Sequence, residues 1–264
     1  MITTHFKIKG QDVNLSWSQV EIFKKVIGAQ TSHFGGRPED LTDKLLKERI
    51  EYEYQPVINF VTDVPDLSAI TSLLDIGSGT SIVDLALCSY FKNKVKFYLL
   101  DGERLDRIGR DNIFDKGCGP FNQWDPVHDA IETNGFDKEK FSFLTSNHSR
   151  DIEKYNSQWE ALQVDMVISI SSWGLHYPIE AYWDKVMRVL KPGGYLVISP
   201  VVSIDNQYEF ICSKFGPPIK LHEYTVEVLK KYRPNDFIRW QNLMPSTDTP
   251  SAIWGRRAIW QRPL

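Results

Sequence analysis

Cysteine is scarce in this chain of 264 residues, and Cys88, Cys118 and Cys212 are widely spaced and odd in number. There is no CxxC pair and no neighbouring histidine pattern, which argues against a disulfide framework or a cysteine-based zinc site. No histidine and carboxylate spacing replaces it, so no metal is expected. Cys88 and Cys212 fall in helical stretches, where a free cysteine serves as a small buried hydrophobe. A basic excess is missing too. With a net charge of −3 the chain has no general attraction for phosphate backbones, and no nucleic-acid partner is expected. No apolar run is long enough to cross a bilayer, and the opening MITTHFKIKGQDVNLSW lacks the apolar centre of a signal peptide. The expectation is a cytoplasmic protein with no membrane partner.

What is present suits an ordinary globular chain: 42% hydrophobic and 25% charged residues, enough for a full core without staples. Residues 1–68 read as a mainly helical extension or cap, carried by Trp17–Ala29 and Leu41–Val61. Between these two, HFGGRPED is loop-like. From residue 69 the chain alternates strand-like and helical runs. Ser72–Ile76, Val95–Leu100, Phe141–Thr145, Val164–Ile170 and Tyr195–Ser199 are the strands. VDMVISI, rich in β-branched residues, suits a centre buried on both faces. Ile82–Phe91 is helical. So is the stretch from Ile179 to Leu190, whose apolar stripe stops at Lys191-Pro192-Gly193-Gly194. Such alternation implies an α/β, doubly wound, mostly parallel sheet. After Pro200, a helical stretch near Thr225–Tyr232 precedes two further strand candidates, Phe237–Leu243 and Ala258–Arg262.

One strand runs into a glycine turn. Leu73–Ser81 reads LLDIGSGTS, with Gly77 and Gly79 before the next helix. Glycine permits a sharp bend and close approach of a ligand to the backbone, and the helix start adds a partial positive charge. Asp101 ends the following strand, where an acid can accept hydrogen bonds from ribose hydroxyls or can cap a helix. The third fingerprint glycine is replaced by Ile82, which argues against a nicotinamide dinucleotide. Asp75 before the first glycine suits a ligand with an amino group.

LLDIGSGTS, Asp101, VDMVISISSWGLHYP and RVLKPGGYLVIS, in this order across Ser72–Ser199, resemble the class I S-adenosylmethionine-dependent methyltransferases. The resemblance implies a seven-stranded Rossmann-like sheet and S-adenosylmethionine as cofactor. It implies that Asp75, Gly77 and Gly79 line the methionine end, that Asp101 holds the ribose, and that Thr145, Ser146 and Asn147 lie near adenine. Ser169 and Ser171 would stand at the mouth of the fourth strand. Ser81 departs from the glycine many relatives carry. SSWGLHYP is also similar to a subset that methylates sugars, which makes a small-molecule acceptor, a sugar or glycan hydroxyl, the preferred substrate. N-methylation of a small amine, or a non-catalytic or nicotinamide-binding Rossmann protein, are the alternatives.

A hydroxyl acceptor needs a base, and His176, six residues past the central strand, is the candidate catalytic residue. It can equally serve only to pack. Trp173 and Tyr177 are candidates for shaping an acceptor pocket, with core packing an equal reading for Trp173. His128, His148 and Glu103 are weaker candidates for the chemistry. Residues 104–124 form a long insertion able to cover the site.

Overall fold

The computed structural model describes residues 1–24, 42–101, 124–145, 161–170, 172–173, 179–202, 206–227 and 253–264. The first seventeen residues correct the helical expectation. Strands β1 (Ile2–Ile8) and β2 (Gln11–Trp17) form an antiparallel hairpin. Its period is two: Ile2, Thr4, Phe6 and Ile8 are buried, whereas His5 and Lys7 are exposed. The two-residue turn, Lys9 and Gly10, has positive φ at both positions, the handedness that matches strand twist. A helix opens only at residues 20–24.

Helix α1 (Asp43–Val61) starts where expected, its N-cap Thr42 accepting from the Leu45 N–H. It packs on β1 and completes that strand's outer edge with side chains. Glu51 accepts from His5 N–H at 2.6 Å, and Gln55 both accepts from Lys7 N–H and donates to Lys7 O at 2.8 Å. A two-stranded sheet is marginal alone; here a helix supplies the missing third partner.

The main sheet has seven strands: β3 (Ser72–Ile76), β4 (Lys96–Asp101), β5 (Phe141–Thr145), β6 (Val164–Ile170), β7 (Leu190–Val202), β8 (Lys220–Thr225) and β9 (Ile253–Gln261). Their order is β5-β4-β3-β6-β7-β9-β8, parallel from β5 to β7 and antiparallel at β9 and β8. The doubly wound, mostly parallel sheet is therefore as read. Of the last strands, the Ala258–Arg262 candidate overlaps the end of β9, whereas the edge strand differs. The edge strand is Lys220–Thr225, next to the expected helix near Thr225; Phe237–Leu243 lies outside the described residues. KLHEYT is exposed over most of its length, so it carries no apolar alternation by which to recognise it.

Crossover helices α2 (Ile82–Phe91), α3 (Asp125–Thr133) and α4 (Glu180–Val189), with α5 (Gln207–Phe215), complete the fold. One face of the sheet joins the hairpin, α1, α2 and α3 in a single apolar cluster holding Leu73, Phe97, Met166 and Val197. The other face, with Leu74, Val167, Leu196 and Trp260, packs α4 and α5. Burial on both faces explains the near-continuous apolar strands.

Asp129 pins the end of the hairpin to helix α3. Its carboxylate accepts from the N–H groups of Ser18 and Gln19 at 2.8 and 3.0 Å and from the Ser18 hydroxyl. Asp129→Ala is expected to destabilise the chain by about 2–3 kcal/mol, on the scale of lost charge-assisted hydrogen bonds. Urea unfolding measures it, and a change below about 0.5 kcal/mol would remove this anchor.

Candidate functional site

The glycine turn is hooked onto the end of β4. Gly77 N–H and Ser78 N–H both donate to Leu100 O, at 2.7 and 3.2 Å, and Gly79 N–H donates to Asp101 Oδ2 at 2.6 Å. Two sequence-predicted residues 22 positions apart thus meet directly. Gly77, Gly79 and Ser81 all have positive φ, so the strand turns into α2 through left-handed backbone. Asp101 is buried, and the residues that follow it lie outside the described set, so its reading as a helix cap finds no described helix.

Gly77 faces something the sequence did not announce. A Cβ built there would lie 1.9 Å from Ser172 Oγ and 2.2 Å from Ser172 Cβ. Ser172, after β6, occupies the space that glycine leaves. Ser169, expected at the site's mouth, is instead a buried brace. Its hydroxyl donates to Ile76 O and accepts from Trp173 N–H, each at 2.8 Å. It ties the end of β6 to the base of the glycine turn.

Trp173 requires a correction. Its ring is fully buried, its indole N–H donates to Ile179 O at 3.0 Å, and it meets Tyr182 edge-on. The ring is used up in the core and offers no face for a sugar to stack on. His176, Tyr177, Ser146, Asn147, Ser171, His148 and Glu103, and the insertion at 104–124 except Trp124, lie outside the described residues. His128 sits on α3 with its ring 4.4 Å from that of Phe143. Cys88 is the buried hydrophobe expected; burial pushes its thiol up to about 12. Cys118 lies outside the described residues.

Beneath the turn lies a group of buried polar atoms. Asp75 Oδ1, Ser78 Oγ, Ser81 Oγ and both oxygens of Asp84 have no hydrogen-bond partner. Buried polar atoms without partners are few in native proteins and costly where they occur. Four residues of ten consecutive positions carrying them mark the place where a ligand could supply the partners. Asp75 is held well above the usual carboxylate range, by burial first and then by Asp84 and Asp101. Burial likewise pushes Asp84 up to about 7. Tyr54, from α1, is pushed up to about 12 by burial and by Glu53, against a hydrogen bond with Thr80 that lowers it. Helix α1 therefore closes the turn from the hairpin side. Asp84, Ser172 and Tyr54 were not singled out from the sequence. Asp84 alone had a signal there, as the single charge in IVDLALCSYF.

Among the described residues there is no group of His, Cys, Asp and Glu arranged to hold a metal, and no helix long and apolar enough to cross a membrane. No family model matches the sequence, and no curated protein matches it. Solved structures do. The StiE O-MT structure of residues 942–1257 is 15% identical with a TM-score of 0.55, over 86% of this chain and 79% of that one. The StiE O-MT structure of residues 961–1257 gives 14% identity and 0.52, over 94% and 83%. The [4+2]-cyclase SpnF gives 13% and 0.52, over 95% and 97%. At these identities the likeness is one of fold, and the fold is the seven-stranded Rossmann-like one found in methyltransferases.

Proposed function

We propose that this chain transfers a methyl group from S-adenosylmethionine to a small-molecule acceptor, with a sugar or glycan hydroxyl preferred. The observation that carries the reading is the turn itself: a glycine bend at the C-terminal end of a parallel sheet, with a carboxylate at the end of the next strand bonded to the Gly79 N–H. The unpartnered atoms fit the cofactor's amino-acid end, because an ammonium group is a donor and they include acceptors. Asp75, with Ser78 and Ser81, would hold that end, and Asp101 the ribose; Ser146 and Asn147 would lie by the adenine. When bound, the cofactor supplies an electrophilic methyl on a sulfonium. The protein's part is to align the acceptor and take up its proton, and His176 is the base we assign to that proton, with Tyr177 and Ser171 beside the acceptor.

Calorimetric titration with S-adenosylhomocysteine and with NAD separates the cofactor classes, and only the former is expected to bind. Asp101→Ala is expected to weaken that binding about ten- to a hundredfold, the loss of hydrogen bonds to a charged group. Unchanged affinity in a variant that still melts cooperatively would take Asp101 out of the site. Because a cyclase shares the fold, transfer itself needs a second readout: a labelled methyl group recovered on an acceptor from a metabolite or glycan pool.

A further inference from the structure

We propose that Asp84 is a positioning residue that shares a proton with Asp75, so that seating a ligand's ammonium group on Asp75 expels that proton to solvent. The inference rests on the cofactor reading above and extends it to a residue one helix turn beyond the glycine bend.

The geometry carries it. Asp75 stands on β3 with its side chain on the same sheet face as Leu73, and Asp84 stands in the first turn of α2, which packs on that face. Asp84 is fully buried and Asp75 is 3% exposed. The two carboxyl groups lie within hydrogen-bonding reach of each other, and no other side chain satisfies Asp75 Oδ1 or the Asp84 oxygens. The other groups that act on the pair among the described residues are Asp101 from β4 and Tyr54, with Glu53 behind it, from α1; Cys88 lies one turn along α2. None is a cation. Two carboxylates at close range in such surroundings cannot both ionise, so near neutrality the pair retains a proton. Burial pushes the Asp84 carboxyl up to about 7, so the pair still carries a proton in mildly acidic solution.

An ammonium group beside Asp75 changes the balance. It supplies the missing opposite charge and the missing donors, which favours the ionised pair. Binding then releases a proton wherever the unliganded pair holds an extra one, and affinity must fall on acidification by linkage. Ser78 and Ser81, on the turn between the two aspartates in sequence, also have unpartnered hydroxyls.

The test titrates S-adenosylhomocysteine into the full chain at pH 5.5 and 6.5, in buffers of different ionisation enthalpy. In this range the ligand's ammonium group stays charged. Wild-type protein is expected to release close to one proton per ligand and to bind about tenfold tighter at pH 6.5, the slope that one linked proton sets. In Asp84→Asn the carboxyl that shares the proton is replaced by an amide that can donate to Asp75, and the tenfold step is expected to shrink below about threefold. Wild-type binding without proton release overturns the proposal and leaves the cofactor reading standing. Absence of binding at either pH overturns both. Should Asp84→Asn fail to fold, Asp84→Ala makes the same comparison, and an undiminished tenfold step in it overturns the role of Asp84.

Discussion

Gly77→Ala is expected to lower the unfolding free energy by about 2–5 kcal/mol. Part of this, about 1–2 kcal/mol, is the cost of a β-carbon in left-handed backbone, since φ at Gly77 is +77°. The remainder is steric. The new methyl would meet Ser172 Oγ at 1.9 Å and its Cβ at 2.2 Å, and overpacking of that kind costs about 1–3 kcal/mol. A short side chain cannot swing clear of both contacts, so the backbone after β6 must move. The two contributions can be separated by a double-mutant cycle. Adding Ser172→Gly is expected to return the steric share and leave the conformational one. Denaturant unfolding of the four proteins gives both. If Gly77→Ala costs less than about 1 kcal/mol, the close approach of Ser172 is wrong.

Asp84→Asn is expected to stabilise the chain, and by an amount that depends on pH. Burial raises the Asp84 carboxyl from its ordinary value to about 7. A raised acid contributes stability that is fully present below its unfolded value, near 4, and is lost as pH rises through the folded one. The wild type therefore weakens progressively between about pH 4 and pH 7, whereas the amide at position 84 has nothing to ionise. The difference between the two proteins should be near zero at pH 4, grow across that interval, and level off above pH 7 on the order of 4 kcal/mol. Urea unfolding across that range tests it. A difference of the same size at every pH would mean that Asp84 is already ionised at low pH or that its carboxyl is not desolvated.

The two variants probe the part of the molecule where reading the sequence succeeded and failed side by side. LLDIGSGTS and FYLLD were legible because strand, turn and terminal acid follow one another within a short span, and each has a local signature. Their direct contact through Gly79 N–H and Asp101 bears that out. Ser172 was invisible because its proximity to Gly77 depends on β6 lying beside β3, a pairing of residues nearly a hundred positions apart. Trp173 could be assigned to core or pocket equally well until its indole N–H was seen to end on Ile179 O. The hairpin at the start of the chain was missed for a different reason. Polar His5 and Lys7 alternate with apolar neighbours over only a few residues, and the helix-like Trp17–Ala29 beside them drew the whole stretch to one reading. At the other end, KLHEYT gave no pattern because an edge strand with water on most of its surface needs none.

Strand β9 is hydrogen-bonded to β7 on one side and β8 on the other, although it follows both in sequence. On a ribosome, then, β7 would wait with a bare edge through the synthesis of more than fifty residues, and β8 would have no neighbour at all. The nascent sheet stays open along this seam until the closing segment emerges and slides in between them. Assembly of this half should accordingly be a late event, and a chaperone that shields apolar strand edges would have its longest opportunity there.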